Sequence, residues 1–290
     1  MDATLGDGGH AAAICNFLSE GDGGRLIGLD RDEEALIRAR NNLEGYKGCW
    51  ELVKADFSEI KTVLKLRGYE QVDGIIMDLG LSSYQVDTPE RGFSYQYDGP
   101  LDMRMDLDLP ETAATILNER DASELARIFK EYGEERWASK IASFIVDFRK
   151  RKEIETTGQL VDIIKSAVPA GRRQKGGHPA RRCFQALRIE VNKELEQLQK
   201  ALMDSAEVLK EGGRLCVISY HSLEDRKVKK FFQWEANKCI CPPGLPQCAC
   251  EKKDRLKVLT KKPVKPKEWE INDNPRSRSA VMRVAQRTRL

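Results

Sequence analysis

Residues 72–83 read VDGIIMDLGLSS, and this stretch decides the fold. Ile75, Ile76 and Met77 form an apolar run that ends in Asp78 and Gly80. A strand covered on both faces of a parallel sheet has no alternating polar side, and the carboxyl ends of such strands are where the sheet carries ligands. Asp78 is therefore expected at the edge of a site. A carboxylate that only caps the next turn would explain this stretch equally well. The surrounding chain favours a site: a glycine-rich turn lies upstream, another apolar run ends in an acid, and a third core run comes much later.

Toward the N-terminus, WELVKAD at Trp50–Asp56 reads as a strand that brings Asp56 and Phe57 to the same edge. There an acid or backbone group can meet an adenine amine while the ring packs on the base; core filling by Phe57 is nearly as good a reading. RLIGLD at Arg25–Asp30 is a short apolar run ending in an acid, followed by helical composition over Glu33–Asn42. An acid ending the second strand is placed for the two ribose hydroxyls of an adenosine-containing cofactor, so Asp30 is a binding candidate. Gly6, Gly8 and Gly9 in GDGGH allow a tight turn with exposed N–H groups before a helix over Ala11–Leu18. This is not the dinucleotide GxGxxG pattern, and an ordinary loop is the competing reading. Met1–Leu5 leaves room for only a minimal first strand.

Toward the C-terminus, a helix over Ser58–Leu66 precedes the deciding strand, and periodicity stops between Leu81 and Asp106. A loop of that length inside a domain suits the wall of an active site. Residues 108–168 read as mostly helical, clearest at Ala122–Tyr132 and Glu134–Arg149, with Ala138, Ile141, Ala142, Ile145 and Val146 forming a buried stripe. Ala170–Arg182 is expected to be a mobile basic connection that orders on an anionic partner. One long amphipathic helix is expected over Phe184–Leu209, then a turn at Glu211–Gly213 and a core strand, RLCVISY, at Arg214–Tyr220. His221 follows that strand and either faces the same crevice as Asp78 or satisfies a loop carbonyl. A helix over Asp225–Trp234 and two short strands, at Arg255–Thr260 and Ala280–Ala285, complete the reading. The alternation predicts an α/β fold with a parallel sheet and covering helices. The expected organisation is a core over 1–106, an inserted helical lobe over 107–183, and the rest of the core over 184–290.

The chain has 290 residues, 33% of them charged, and no apolar stretch long enough to span a bilayer. No basic and then apolar leader pattern opens it, and its eight cysteines form no secreted framework, so a reduced cytoplasmic setting is expected. The net charge of +3 is unevenly spread. Residues 171–190 carry six Arg or Lys against one Glu, and residues 251–290 carry thirteen against five acids. Such patches favour a polyanionic partner. Cys239, Cys241, Cys248 and Cys250 form CxC(x6)CxC within 239–250; a structural zinc clip, free thiols and a labile disulfide all remain open, whereas a catalytic metal is not implied.

Together DATLGDGGH, DLGLSS, Gln85-Val86-Asp87, ERGFSYQYDGPLDMRMD, YGEER, FQALRIEVNKEL, GGRLCVISYHSLEDR and NPRSRSA resemble the bacterial ribosomal RNA small-subunit methyltransferase H family across nearly the whole chain. The resemblance implies a Rossmann-like class I S-adenosylmethionine-dependent methyltransferase sheet with an inserted helical lobe. It further implies methylation of the N4 amine of cytosine 1402 in 16S ribosomal RNA, within the small ribosomal subunit. Carried over residue by residue, Gly8, Gly9 and His10 correspond to the cofactor loop, Asp30 to the ribose-binding acid, Phe57 to the adenine neighbour, and Asp78 and Gln85 to other cofactor-pocket positions. Family members usually begin further upstream; Ala11 stands where serine is common and Tyr220 where phenylalanine is common.

Chemistry adds roles to these positions. The lone pair of cytosine N4 is delocalised into the ring, so a carboxylate accepting its N–H restores nucleophilicity and orients it, the role expected of Asp78. Tyr84, Phe93 and Tyr95 are candidates to stack on an unstacked cytosine, and His221 to hold the base or its phosphate. Arg172, Arg173, Lys175, Arg181 and Arg182 are expected on backbone phosphates. The rival readings are a methyltransferase for another RNA site, a non-catalytic RNA-binding assembly protein, and a nicotinamide-linked oxidoreductase that shares only the logic of Asp30. Monomer and dimer are both compatible with the sequence.

Overall fold

In the computed structural model, which describes every residue except 22, 47, 170–177, 240, 242–249, 251 and 290, Val72–Asp78 is strand β3. It pairs in parallel with β4 (Leu209–Ser219), placing Asp78 opposite Ile218. β4 pairs antiparallel with β6 (Val281–Arg287), which pairs antiparallel with β5 (Leu256–Val258). On the other side β1 (Leu26–Asp30) and β2 (Trp50–Lys54) run parallel, in register from Leu26 with Trp50 to Asp30 with Lys54. Asp2 joins the two sets through parallel bridges to both Gly28 and Ile76. Its N–H donates to Ile27 O at 2.9 Å, its carbonyl accepts from Leu29 N–H at 2.8 Å, and the N–H of Ala3 donates to Ile76 O at 2.9 Å. Across the sheet the order is therefore β2, β1, Asp2, β3, β4, β6, β5.

The chain divides into two compact units, Met1–Gly80 with Leu195–Leu290, and Leu81–Glu194. The first contains the sheet and its helices: α1 (Gly9–Ser19), α2 (Glu33–Asn42) and α3 (Ile60–Leu66). Leu29, Ile60, Leu64, Met77, Leu215, Val217, Val228 and Phe232 are buried together in its core. Full burial of such side chains stabilises by about 1.5–3 kcal/mol each. The turn expected at Glu211–Gly213 lies inside β4, where the pairing with β3 shifts between Val72 and Gly74. Gly212 has φ +78, and a Cβ on Gly213 would lie 2.9 Å from Lys210 O, so the two glycines absorb the irregularity without ending the strand.

The second unit is helical: α4 (Ser83–Asp87), α5 (Ala113–Glu119), α6 (Ala122–Glu131), α7 (Ala138–Arg149), α8 (Thr157–Ala167) and α9 (Arg181–Asn192). Thr112, Asp121 and Thr156 cap α5, α6 and α8 by accepting backbone N–H groups of the first turn. Ala138, Ile141, Ala142 and Ile145 are buried as the stripe predicts, with Val146 at its margin. This unit begins at Leu81, not at residue 107. The loop inserts Phe93, Leu101, Met103 and Met105 into the helical core, and Asn192 holds it, donating to Met103 O and accepting from Met105 N–H, both at 2.8 Å.

Two other expectations are corrected. The single helix over Phe184–Leu209 is two, α9 and α10 (Glu194–Val208), because Lys193 adopts left-handed φ 51 and its N–H closes the end of α9. Arg181 and Arg182 open α9 and do not belong to a mobile connection; Arg182 Nη1 donates to Glu134 O at 3.1 Å.

Candidate active site

Asp78 ends β3 with three anchors. Its backbone N–H donates to Thr4 Oγ1 at 2.6 Å, fixing where the strand stops. One carboxylate oxygen, Oδ2, lies 3.2 Å from His10 Nε2. Tyr220, just past β4, lies beside the same carboxylate; burial, and then Asp78, push its phenol above the ordinary range. The other oxygen, Oδ1, is buried and has no hydrogen-bond partner among the described residues. A buried oxygen left unpaired costs about 1–3 kcal/mol, so the Asp78 carboxylate, with the Tyr220 phenol beside it, retains hydrogen-bonding capacity that this arrangement does not meet. Gly80, at φ +109, keeps the following turn tight; a Cβ there would meet Tyr220 Cδ2 at 3.4 Å.

His10 sits in the first turn of α1, which starts directly after the glycine turn. Gly8 needs to be glycine: its φ is +85, and a Cβ would press on Ala39 Cβ at 3.3 Å. Asp7 ties this turn to α2, accepting from Arg38 Nε at 2.7 Å and, through its carbonyl, from Asn42 Nδ2 at 2.8 Å. The hydrogen bond to Asp78 raises the His10 pKa, against desolvation that lowers it; the charge of Asp78 and of Asp2, whose own buried carboxyl is pushed up to about 6, adds to the rise.

A raised imidazole pKa stabilises the folded protein fully below the unfolded value of about 6.5, and this contribution disappears as pH rises through the folded value. Replacing His10 with Gln should therefore cost most melting temperature near pH 5.5 and least near pH 9. A gap independent of pH would remove the ion pair from the account.

Asp30 ends β1. Its Oδ2 accepts the N–H of Gly6 at 2.8 Å and its Oδ1 that of Asp32 at 2.9 Å. The carboxylate thus binds the glycine turn to the strand end while each oxygen keeps a lone pair for a hydroxyl donor. Burial raises its pKa, opposed by those two N–H groups. Asp56 caps the short turn Phe57–Glu59 and lies 3.4 Å from Arg31 Nη1, which also donates to Gln197 Oε1 at 3.0 Å. Phe57 is half-buried against the sheet core. A glycine cradle, a strand-end acid, a half-buried ring and an unpaired strand-end carboxylate oxygen form a donor set suited to an adenosine cofactor carrying a charged tail.

The remaining candidates separate clearly. Gln85 is buried and completes the capping box of α4, its Oε1 accepting Ser82 N–H at 3.2 Å. Phe93 is only 6% exposed and is packed in the helical core, so its ring faces are occupied by protein and it is not a stacking platform. Tyr95 is stacked on His178, centroids 4.6 Å apart, with Phe184 at its edge. Tyr84 is exposed. His221 caps helix α11 (Ser222–Ala236): Glu224 N–H points at its Nδ1 at 3.5 Å, while Glu224 Oε2 accepts the N–H groups of His221 and Tyr220. His221 thus meets a helix N–H and the Glu224 carboxylate, whose Oε1 lies 3.1 Å from its Nε2, in place of the loop carbonyl that the sequence offered as an alternative. Arg172, Arg173, Lys175 and Cys248 lie outside the described residues. Sequence reasoning missed Thr4 and Tyr220 as neighbours of Asp78; the only signal was that each adjoins a strand end.

Residues 1–288 match the model of the MraW methylase family. The chain belongs to that family. A ribosomal RNA small subunit methyltransferase H of Halothermothrix orenii is 53% identical over 287 residues, covering 99% of this chain and 91% of that one. A protein of the same name from Symbiobacterium thermophilum is 52% identical over 283 residues, 98% of this chain and 88% of its own. Another from Heliobacterium mobile is 51% identical over 288 residues, 99% and 92%. S-adenosylmethionine, the cofactor that membership of the MraW methylase family supports, suits the donor set described above.

Proposed function

We propose that this protein methylates the N4 amine of a decoding-centre cytosine, position 1402, in 16S ribosomal RNA. The names of its relatives support the substrate class, and the unpaired Oδ1 of Asp78 carries the chemistry. S-adenosylmethionine supplies, when bound, a methyl group on a positively charged sulfur. The ribose hydroxyls of that cofactor are assigned to Asp30, its adenine to the side of Phe57, and its amino-acid end to the turn of Gly8, Gly9 and His10. The Asp78 carboxylate accepts an N–H of the cytosine amine, which aligns the nitrogen and returns lone-pair density to it; the proton lost on methylation leaves through this carboxylate to solvent. His10, 3.2 Å from Oδ2, holds and orients the carboxylate. Of the aromatic candidates, exposed Tyr84 is the one assigned to stacking, and Arg181 and Arg182 to phosphate.

The substrate is in the cytoplasm, and among the described residues no helix is long and apolar enough to cross a membrane. Incubation with tritiated S-adenosylmethionine and small subunits lacking the modification, followed by nucleotide mapping, tests the proposal. Label on the cytosine amine is the expected result. Label elsewhere on the RNA would replace the substrate, and cofactor binding with no label would leave an assembly protein.

A structural zinc belongs to the same proposal. The sulfurs of Cys239, Cys241 and Cys250 lie within 4.8 Å of one another, and the N–H of Cys241 points at Cys239 Sγ at 3.3 Å. Converging sulfurs with a backbone N–H on one of them suit a soft, tetrahedral ion. Protein purified without added metal should contain about one zinc per chain, lost in the Cys239→Ser, Cys250→Ser double variant; metal-free wild-type protein would end this idea.

A further inference from the structure

A second ligand surface lies along α10 and α11, lined by none of the residues assigned to the cofactor. Leu223, Lys227, Lys230 and Trp234 follow one another at spacings of four, three and four along α11, so they share one face of the helix. Beside them Phe231 forms an apolar floor, closed from α10 by Leu195 and Gln199. With Arg226 these residues line a groove of about 560 Å³.

Its chemistry is uneven in a way that a folding role does not explain. The buried residues of α11 are Glu224, Val228, Phe231, Phe232 and Glu235, so of the α11 residues that line the groove only Phe231 belongs to the helix's buried face. Trp234 is 51% exposed. Lys252 Nζ lies 5.3 Å from the Trp234 ring centroid, adding a cation at that end. Lys227 donates to Gln199 Oε1 at 3.4 Å and, like Lys230, makes no ion pair among the described residues. Desolvation lowers the Lys227 pKa, with the charge of Glu196 acting in the other direction. A partly desolvated ammonium with no carboxylate in ion-pair reach among the described residues, and only the more distant charge of Glu196 acting on it, is stabilised further by an anion that arrives from outside. Adjacent cations answer phosphates, and an exposed indole over an apolar floor answers the face of a base.

We propose that this α10–α11 groove binds a single-stranded segment of the RNA substrate, with Lys227 and Lys230 on consecutive phosphates and Trp234 stacked on a base. The occupant rests on the RNA-methylating function proposed above, and charge complementarity selects RNA over an apolar protein segment.

The test combines two readouts on the full chain. Fluorescence anisotropy with a labelled single-stranded RNA 12-mer measures affinity without turnover; methylation of unmodified small subunits gives kcat and KM. The Lys227→Gln, Lys230→Gln double variant should weaken 12-mer binding about 10-fold or more and reduce the slope of log affinity against log salt by about 1.4, the change for two phosphates on a single strand. Trp234→Leu should weaken binding about 5- to 100-fold with little change in that slope. Both variants should raise KM, keep kcat, and bind S-adenosylmethionine as wild type does, which reports an intact fold. Charge-conserving Lys230→Arg should stay near wild type. Unchanged affinity and salt slope in the double variant would overturn the groove assignment, including the case in which the groove instead takes an acidic protein. If wild-type protein methylates no RNA, the function fails, and the anisotropy result still decides the groove.

Discussion

Asp78→Asn is expected to lower the single-turnover rate of methyl transfer by about 10²–10⁴-fold, the range that a positioned proton acceptor supplies. The substitution keeps the shape and the backbone bond to Thr4 Oγ1, so strand β3 should end where it does now. It removes the negative charge and places a donor where the cytosine amine needs an acceptor. Affinity for S-adenosylmethionine, measured by calorimetry, should change far less than the rate, because the ribose and adenine contacts are assigned elsewhere. Full rate at saturating cofactor would show that Asp78 serves only to shape the pocket.

Asp30→Ala should show the opposite pattern, a loss of cofactor affinity that more cofactor partly restores. Two charge-assisted hydrogen bonds to ribose hydroxyls are worth about 1.5–3 kcal/mol each, so the dissociation constant should rise by about 10²–10⁴-fold. The substitution also frees the N–H of Gly6, which now donates to Asp30 Oδ2, and loosens the glycine turn. Thermal stability should suffer less than affinity. Burial raises the Asp30 pKa above its unfolded value, so the ionised carboxylate costs the empty protein stability as pH rises through that range, and its removal relieves the cost. Equal affinity for cofactor in calorimetry of the two proteins would exclude Asp30 from the ribose site.

Much of this architecture could be read directly. The apolar runs ending at Asp30 and Asp78 are strands whose last residues are those acids; burial is continuous over Leu26–Leu29, as a strand covered on both faces requires, whereas in β3 Ile75 and Met77 are buried and Ile76 is half-buried. The glycine turn was legible because φ +85 at Gly8 has few other solutions. What escaped was set by contacts distant in sequence. Nothing near Phe93 signals that its ring is buried among helices; an aromatic residue in a polar loop reads the same whether it faces solvent or core. The break at Lys193 was hidden because the amphipathic period continues across it, and a lysine rarely marks a left-handed turn. His221 looked like a site residue because it follows a strand, yet Glu224, three positions on, closes a capping box with it; a histidine where the pattern has Ser or Thr hid that role.

Asp2 has a consequence for how the site keeps its dimensions. The two peptide units that flank its Cα are the rivet between two leaves of the sheet, β2–β1 on one side and β3–β4–β6–β5 on the other: Asp2 bonds to β1 at Ile27 and Leu29, and Met1 and Ala3 bond to β3 at Ile76. Asp30 ends a strand of the first leaf and Asp78 a strand of the second. The span between the proposed ribose and amine sites is thus gauged across one rivet, and a slip there would mistune the distance between the two carboxylates while leaving each leaf intact.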